Sequence, residues 1–292
     1  VSESFLARLA AGRLLLDGGL GTTLASRAGV APQRVGLLNL EAPELVRRVH
    51  LDFLAAGSEV LQTNTFAANR SALGRLGVAQ HIGAVLGEGV RLARTCVEEA
   101  GRGFVVGNLG PIGAFAGEGE RPSMAELGEQ YRELARLFLE AGVEAFSLET
   151  FADLAEARTA IAALREVSEL PICACVTFER HREGWRIPGG EALTQALRAL
   201  EAAGADAVGV NCGLGSGALV EAVPTFVGAV AVPLIAKPNV GPPGGTRDAP
   251  TFEQEPEAFA ADLLRLAQLG AAAVGGCCGA DPRFIAALGA RL

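Results

Sequence analysis

The sequence predicts an α/β chain folded as a single (β/α)8 barrel. Eight short apolar runs alternate with longer segments of helical periodicity, no compositional shift or linker divides residues 1–292, and polar residues collect at the C-terminal ends of the runs. The rival arrangement is a doubly wound open sheet. Its first strand turn would be Asp17-Gly18-Gly19-Leu20-Gly21, which lacks the full dinucleotide fingerprint.

The elements follow in order. The first run covers residues 14–19, and Leu45, Val46, Val49 and Phe53 recur at helical spacing within a helix over 43–56. The second run covers 59–64, with its helix over 80–100. The third covers 104–108 and leads through a Gly/Pro-rich loop to a helix over 124–141. The fourth, 145–150, precedes a helix over 153–167. The fifth, 171–178, is separated by a polar loop around 180–185 from a helix over 191–203. The sixth, 207–212, precedes a helix over 218–230 in which Pro224 predicts a break. The seventh, 233–239, leads through a second Gly/Pro-rich loop to a helix over 256–269. The eighth, 271–279, is a small-residue run ending in two adjacent cysteines between glycines, followed by a short helix over 282–288.

Composition narrows the function. Half of the 292 residues are hydrophobic and only 5% aromatic, so Ala, Leu, Val and Gly must do most of the packing. A net charge of −8 and a pI near 5.1, with no run of basic residues, argue against binding nucleic acid, which depends on clustered cations. The first eight residues carry an early acid and no long apolar run, so neither a signal peptide nor a membrane span is expected, and a cytoplasmic location follows. Six cysteines are few for a disulfide scaffold in a chain of this size and point to metal binding, catalysis or packing.

In such a barrel the site lies where the strands end. The residues there are Asp17, Thr63, Asn64, Asn108, Glu149, Thr150, Thr177, Asn211, Cys212, Lys237, Asn239, Cys277 and Cys278. Thr63, Asn108 and Thr177 read as turn-stabilising residues, since short polar side chains commonly bond the following turn. Cys96, Cys173 and Cys175 lie within predicted elements and read as packing. Cys212 and the Cys277-Cys278 pair end strands separated only by the seventh. They can therefore face one point, and three thiolates around one metal form a soft site that favours Zn2+. Three protein ligands leave a position for substrate, as in catalytic zinc sites. His50, His81 and His181 end no strand and are left out of the site.

The segments Asp17-Gly18-Gly19-Leu20-Gly21-Thr22, Gln62-Thr63-Asn64-Thr65-Phe66, Gly107-Asn108-Leu109-Gly110-Pro111, Glu149-Thr150, Val210-Asn211-Cys212-Gly213 and Gly275-Gly276-Cys277-Cys278-Gly279 resemble those of the homocysteine-binding methyltransferase family. The family includes the homocysteine domain of cobalamin-dependent methionine synthase, betaine–homocysteine methyltransferases and S-methylmethionine-dependent enzymes. The likeness spans nearly the whole chain, and the Cys212…Cys277-Cys278 order is its most specific part.

The resemblance implies zinc-dependent transfer of a methyl group to the thiol of homocysteine, giving methionine. It implies Cys212, Cys277 and Cys278 as zinc ligands, and Asp17 and Glu149 as acids holding the amino-acid part of homocysteine. The backbone of Gly18 and Gly19 would approach the substrate, and Asn239 matches a position that can occupy the open zinc site until substrate arrives. The methyl donor is left undetermined: a small molecule such as S-methylmethionine, S-adenosylmethionine or betaine, or a methyl-corrinoid protein. The loops over 114–122 and 241–250 are expected to shape the donor side.

Two other readings compete. Lys237 is the one lysine among 25 basic residues and sits near a strand end, which suits a Schiff-base aldolase-type enzyme. The same three cysteines would also serve a non-catalytic zinc-binding module.

Overall fold

The computed structural model describes residues 4–116, 121–242, 244–246 and 249–292. Eight parallel strands form one sheet: β1 (Leu14–Leu15), β2 (Val60–Gln62), β3 (Phe104–Leu109), β4 (Ala145–Phe151), β5 (Ile172–Val176), β6 (Ala207–Gly215), β7 (Leu234–Asn239) and β8 (Ala271–Val274). Their spatial order is β1-β8-β7-β6-β5-β4-β3-β2, which leaves β1 and β2 at the two ends. Glu59 N donates to Leu15 O at 2.8 Å and Gln62 N to the Asp17 carboxylate at 2.8 Å across that seam. The arrangement is a (β/α)8 barrel, nearly closed by its own ladder and joined at the seam by an acidic side chain.

Alternation along the strands divides the side chains into two sets. Leu14, Leu16, Val60, Val106, Ala145, Cys173, Cys175, Ala207, Ile235 and Ala273 pack into one interior cluster, while the opposite faces join the helices in a second, larger core. The interior cluster also takes Phe5 and Leu9 from a helix over Phe5–Ala10 that precedes β1. The Phe5 ring meets Phe104, at the start of β3, edge-on at 5.6 Å. Arg8 pairs with Glu59 just before β2, so this helix closes the N-terminal mouth of the barrel.

Several elements depart from the sequence expectation. The first run stops being strand after Leu15 and passes directly into a helix over Leu20–Ala28, ahead of the expected helix at Pro43–Ala55. The loop around 180–185 is a small antiparallel pair, Glu179–His181 with Gly184–Arg186. The break at Pro224 holds: the helix over Ser216–Ala222 gives way to a 3-10 turn at Val223–Thr225. Part of the loop over 241–250 also pairs, Gly244–Thr246 with Ala249–Thr251. Residues 117–120, 243, 247 and 248 of the two expected donor-side loops lie outside the described residues. Among the described residues, no helix is long and apolar enough to cross a membrane.

Candidate metal and substrate site

Three thiols meet at the C-terminal mouth. The sulfur atoms of Cys212, Cys277 and Cys278 lie within 4.8 Å of one another, with Cys212 Sγ 4.0 Å from Cys278 Sγ. Cys212 lies within the second half of β6, where the register with β7 shifts and its own backbone is left-handed at φ 59°. Beyond β8 the chain keeps to the barrel wall: Gly276 N donates to Asp17 O at 3.0 Å and Cys277 N to Pro238 O at 2.9 Å. That path suspends Cys277 and Cys278 between β1 and β7.

Gly18 and Gly19 make room for it. A Cβ on Gly19 would fall 2.4 Å from Cys277 O, and one on Gly18 would fall 2.0 Å from Ala280 O. Only glycine permits so close an approach of two backbones.

Side-chain amides hold the thiols in place. Asn211 Nδ2 reaches Cys277 Sγ at 3.7 Å. Asn239 accepts from Cys278 N at 3.1 Å and donates to Gly213 O at 3.2 Å, so its amide links the two cysteine-bearing segments. Hydrogen bonds from Cys277 and then Cys278 draw the Cys212 thiol well below its ordinary pKa. The same bond to Cys212 pushes Cys277 up to about 12. One thiolate among three close sulfurs is already favoured. Cys173, by contrast, is pushed to about 12 by burial and Cys96 to about 11, as packing residues should be. Among the described residues, the cluster that could hold a metal ion contains these three cysteines and no histidine.

One layer deeper lies a buried polar cluster. Lys237 Nζ donates to Glu149 Oε1 at 2.8 Å and to Gln62 Oε1, and stands 3.6 Å from Asp17 Oδ1. Gln62 Nε2 donates to Glu149 Oε1 and to Ser147 Oγ, each at 2.8 Å. Burial opposes the charge on Lys237, but Glu149 and Asp17 outweigh it and hold the ammonium above its ordinary pKa. Burial raises Asp17 to about 7 despite Lys237 beside it. This corrects the Schiff-base reading: an amine kept protonated between two carboxylates is not the neutral nucleophile that such chemistry needs.

The structure thus brings Asp17, Glu149, Cys212, Cys277, Cys278 and Asn239 to one end of the barrel, with Gly18 and Gly19 packed behind the cysteine turn. The sequence reading assigned no role to Gln62, Ser147 or Asn211, and it read Asn108 as a turn-stabilising residue. Their signal was their position: each shares strand parity with an interior apolar residue, as Gln62 does with Val60 and Asn108 with Val106. Phe252, after the second antiparallel pair, lies against Gly279, where a Cβ would fall 2.5 Å from its ring.

Fold and site define a class: barrel proteins with a trio of cysteines set at the C-terminal mouth above a buried acid pair. The chain belongs to the homocysteine S-methyltransferase family, whose model matches residues 14–292. It is 30% identical over 301 residues to the homocysteine S-methyltransferase of Escherichia coli (strain K12), covering 95% of this chain and 94% of that one. It is 30% identical over 285 residues to the methionine synthase of Mycobacterium tuberculosis (strain ATCC 25618 / H37Rv), with 92% of this chain aligned but only 24% of that protein. The chain therefore spans about a quarter of the methionine synthase it matches. The crystal structure of the metallated form of the E. coli homocysteine methyltransferase MmuM superposes with a TM-score of 0.80 at 25% identity, covering 96% of each chain.

Proposed function

We propose that this chain transfers a methyl group to the thiol of homocysteine, yielding methionine, with zinc held by Cys212, Cys277 and Cys278. The observation that carries the reading is that three thiols and a buried pair of carboxylates gather at the same end of one barrel. A substrate with a thiol at one end and an ammonium at the other matches both.

The donor set fits zinc. Tetrahedral coordination with Zn–S near 2.3 Å puts neighbouring sulfurs about 3.8 Å apart, close to the 4.0 Å between Cys212 and Cys278. Bound there, zinc would supply Lewis-acid stabilisation of a thiolate at neutral pH, which an ordinary thiol lacks. Each residue has a task. Asp17 and Glu149 take the substrate ammonium, the backbone at Gly18 and Gly19 borders the amino-acid pocket, and Asn239 is the candidate exchangeable ligand beside Cys278. The half-buried cysteines face the opening, from which an activated methyl group can approach in line with the substrate sulfur. Three unpaired thiols also suit a reducing cytoplasm.

The methyl donor is S-methylmethionine, S-adenosylmethionine, betaine or a methyl-corrinoid protein. Incubating zinc-loaded protein and homocysteine with each in turn, and measuring methionine, identifies it. Cobalt-substituted protein separates catalysis from zinc storage: adding homocysteine should shift the thiolate-to-metal absorption, and a spectrum indifferent to homocysteine would overturn the proposal.

A further inference from the structure

We propose that Lys237 is a specificity-determining residue: its fixed ammonium cancels one of two buried carboxylate charges and orients Glu149, tuning the pocket to a thiol that carries a single ammonium. This rests on the reading that Asp17 and Glu149 hold the substrate's amino group.

Lys237 is 2% exposed and is the chain's only lysine. Its Nζ and Gln62 Nε2 both bond Glu149 Oε1, so that oxygen is committed to the protein. Glu149 Oε2 receives Asn108 Nδ2 at 3.5 Å, a weak contact. Asp17 Oδ2 accepts from Gln62 N, while Asp17 Oδ1 faces the Lys237 ammonium at 3.6 Å, just beyond hydrogen-bond reach, and among the described residues nothing donates a hydrogen bond to it or to Asn108 Oδ1. Asp17 is fully buried and Asn108 is 9% exposed. Such acceptors are costly to leave unpaired, and their gathering around Glu149 and Lys237 marks a place for donors.

Asp17 Oδ1, Glu149 Oε2 and Asn108 Oδ1 are three acceptors with spare capacity, and a primary ammonium has three N–H donors. Formal charge agrees. With Asp17 ionised, two carboxylates and one Lys237 ammonium leave the cluster at −1, which one substrate ammonium neutralises, so an arriving ammonium favours that ionised form. Without Lys237 the two acids would face each other uncompensated and share a proton, and Glu149 Oε1 would keep only its bond from Gln62. Asn108 thereby gains a substrate-facing role in place of the turn-stabilising one read from the sequence.

The test compares binding of homocysteine with 4-mercaptobutanoate, which lacks the amino group, to zinc-loaded protein by calorimetry. Lys237→Met should cut the preference for homocysteine by about tenfold or more, through weaker homocysteine binding. Zinc content and 4-mercaptobutanoate affinity should stay within about threefold. An unchanged preference in Lys237→Met overturns the role of Lys237. Asp17→Asn distinguishes the two failures: if it collapses the preference while Lys237→Met does not, the acid pair stands and only the lysine proposal falls. If Asp17→Asn leaves the preference intact, the amino-group reading itself falls. Should Lys237→Met fail to fold, Lys237→Gln, which removes the charge but leaves a polar side chain beside Glu149, is compared with wild type. A lower preference for homocysteine supports the proposal, and an unchanged one overturns it.

Discussion

The Asn211 side chain grips Thr150 at two atoms, accepting from Thr150 N at 2.7 Å and donating to Thr150 Oγ1 at 2.8 Å. Thr150 and Cys212 are both left-handed, at φ 64° and 59°, a conformation that costs a non-glycine residue energy and persists only where neighbours impose it. The amide bolts the end of β4 to β6 and fixes Cys212 where it meets the other thiols.

Replacing Asn211 by Leu removes both bonds and the contact with Cys277. Metal affinity should fall by roughly 10–100-fold, the usual cost of losing a group that orients ligands. Competition against a chromophoric zinc chelator measures it, and far-UV circular dichroism should show the barrel intact. Unaltered zinc affinity would remove Asn211 from the site.

Cys278→Ala takes away one of three sulfurs. Zinc should no longer be retained through gel filtration, and methionine formation should be lost. Cys96→Ala, a change in a buried helix residue far from the mouth, should retain both. Metal analysis of the two variants side by side gives the answer.

Gly19→Ala drives a methyl group into Cys277 O, 2.4 Å away. Backbone cannot yield as a flexible side chain can, so the cysteine turn must move. A loss of about 1–3 kcal/mol is expected, seen as a lower denaturation midpoint, together with weaker zinc binding. Gly21→Ala, with nothing within 4 Å of the new Cβ, is the control and should be silent.

His50 is fully buried in the helix over Pro43–Ala55, and among the described residues neither ring nitrogen has a hydrogen-bond partner. Burial lowers its pKa to about 4 from 6.5. The unfolded chain takes up the proton first as pH falls, so the stability present above pH 6.5 is lost progressively towards pH 4. The full loss is about 3 kcal/mol. Urea titrations at pH 7 and pH 4.5 should show wild type losing more stability than His50→Leu over that interval, and parallel losses would contradict the assignment.

The barrel and its cysteines were legible in the sequence because their signals are local. A buried parallel strand reads as a short apolar run whatever it packs against, and two thiols after two glycines have few other uses. The helix over Leu20–Ala28 was missed because Asp17, Gly18 and Gly19 look like an open turn, whereas the structure starts a helix immediately after them. The helix over Phe5–Ala10 is short and follows no strand, so nothing in the alternating pattern called for it.

What the sequence determined alone is the succession of strands along the chain and the presence of Cys212, Cys277 and Cys278 in or just after two of them, since hydrophobic period and residue type are properties of neighbours along the chain. Tertiary structure decided the rest. Lys237 became a locked ammonium only because β7 places it within 2.8 Å of a carboxylate from β4, 88 residues away. Asn211 became a brace only because Thr150 lies opposite it on another strand. Charge and hydrogen bonding act across space, and a residue's ionisation and role follow from partners that closure of the barrel supplies.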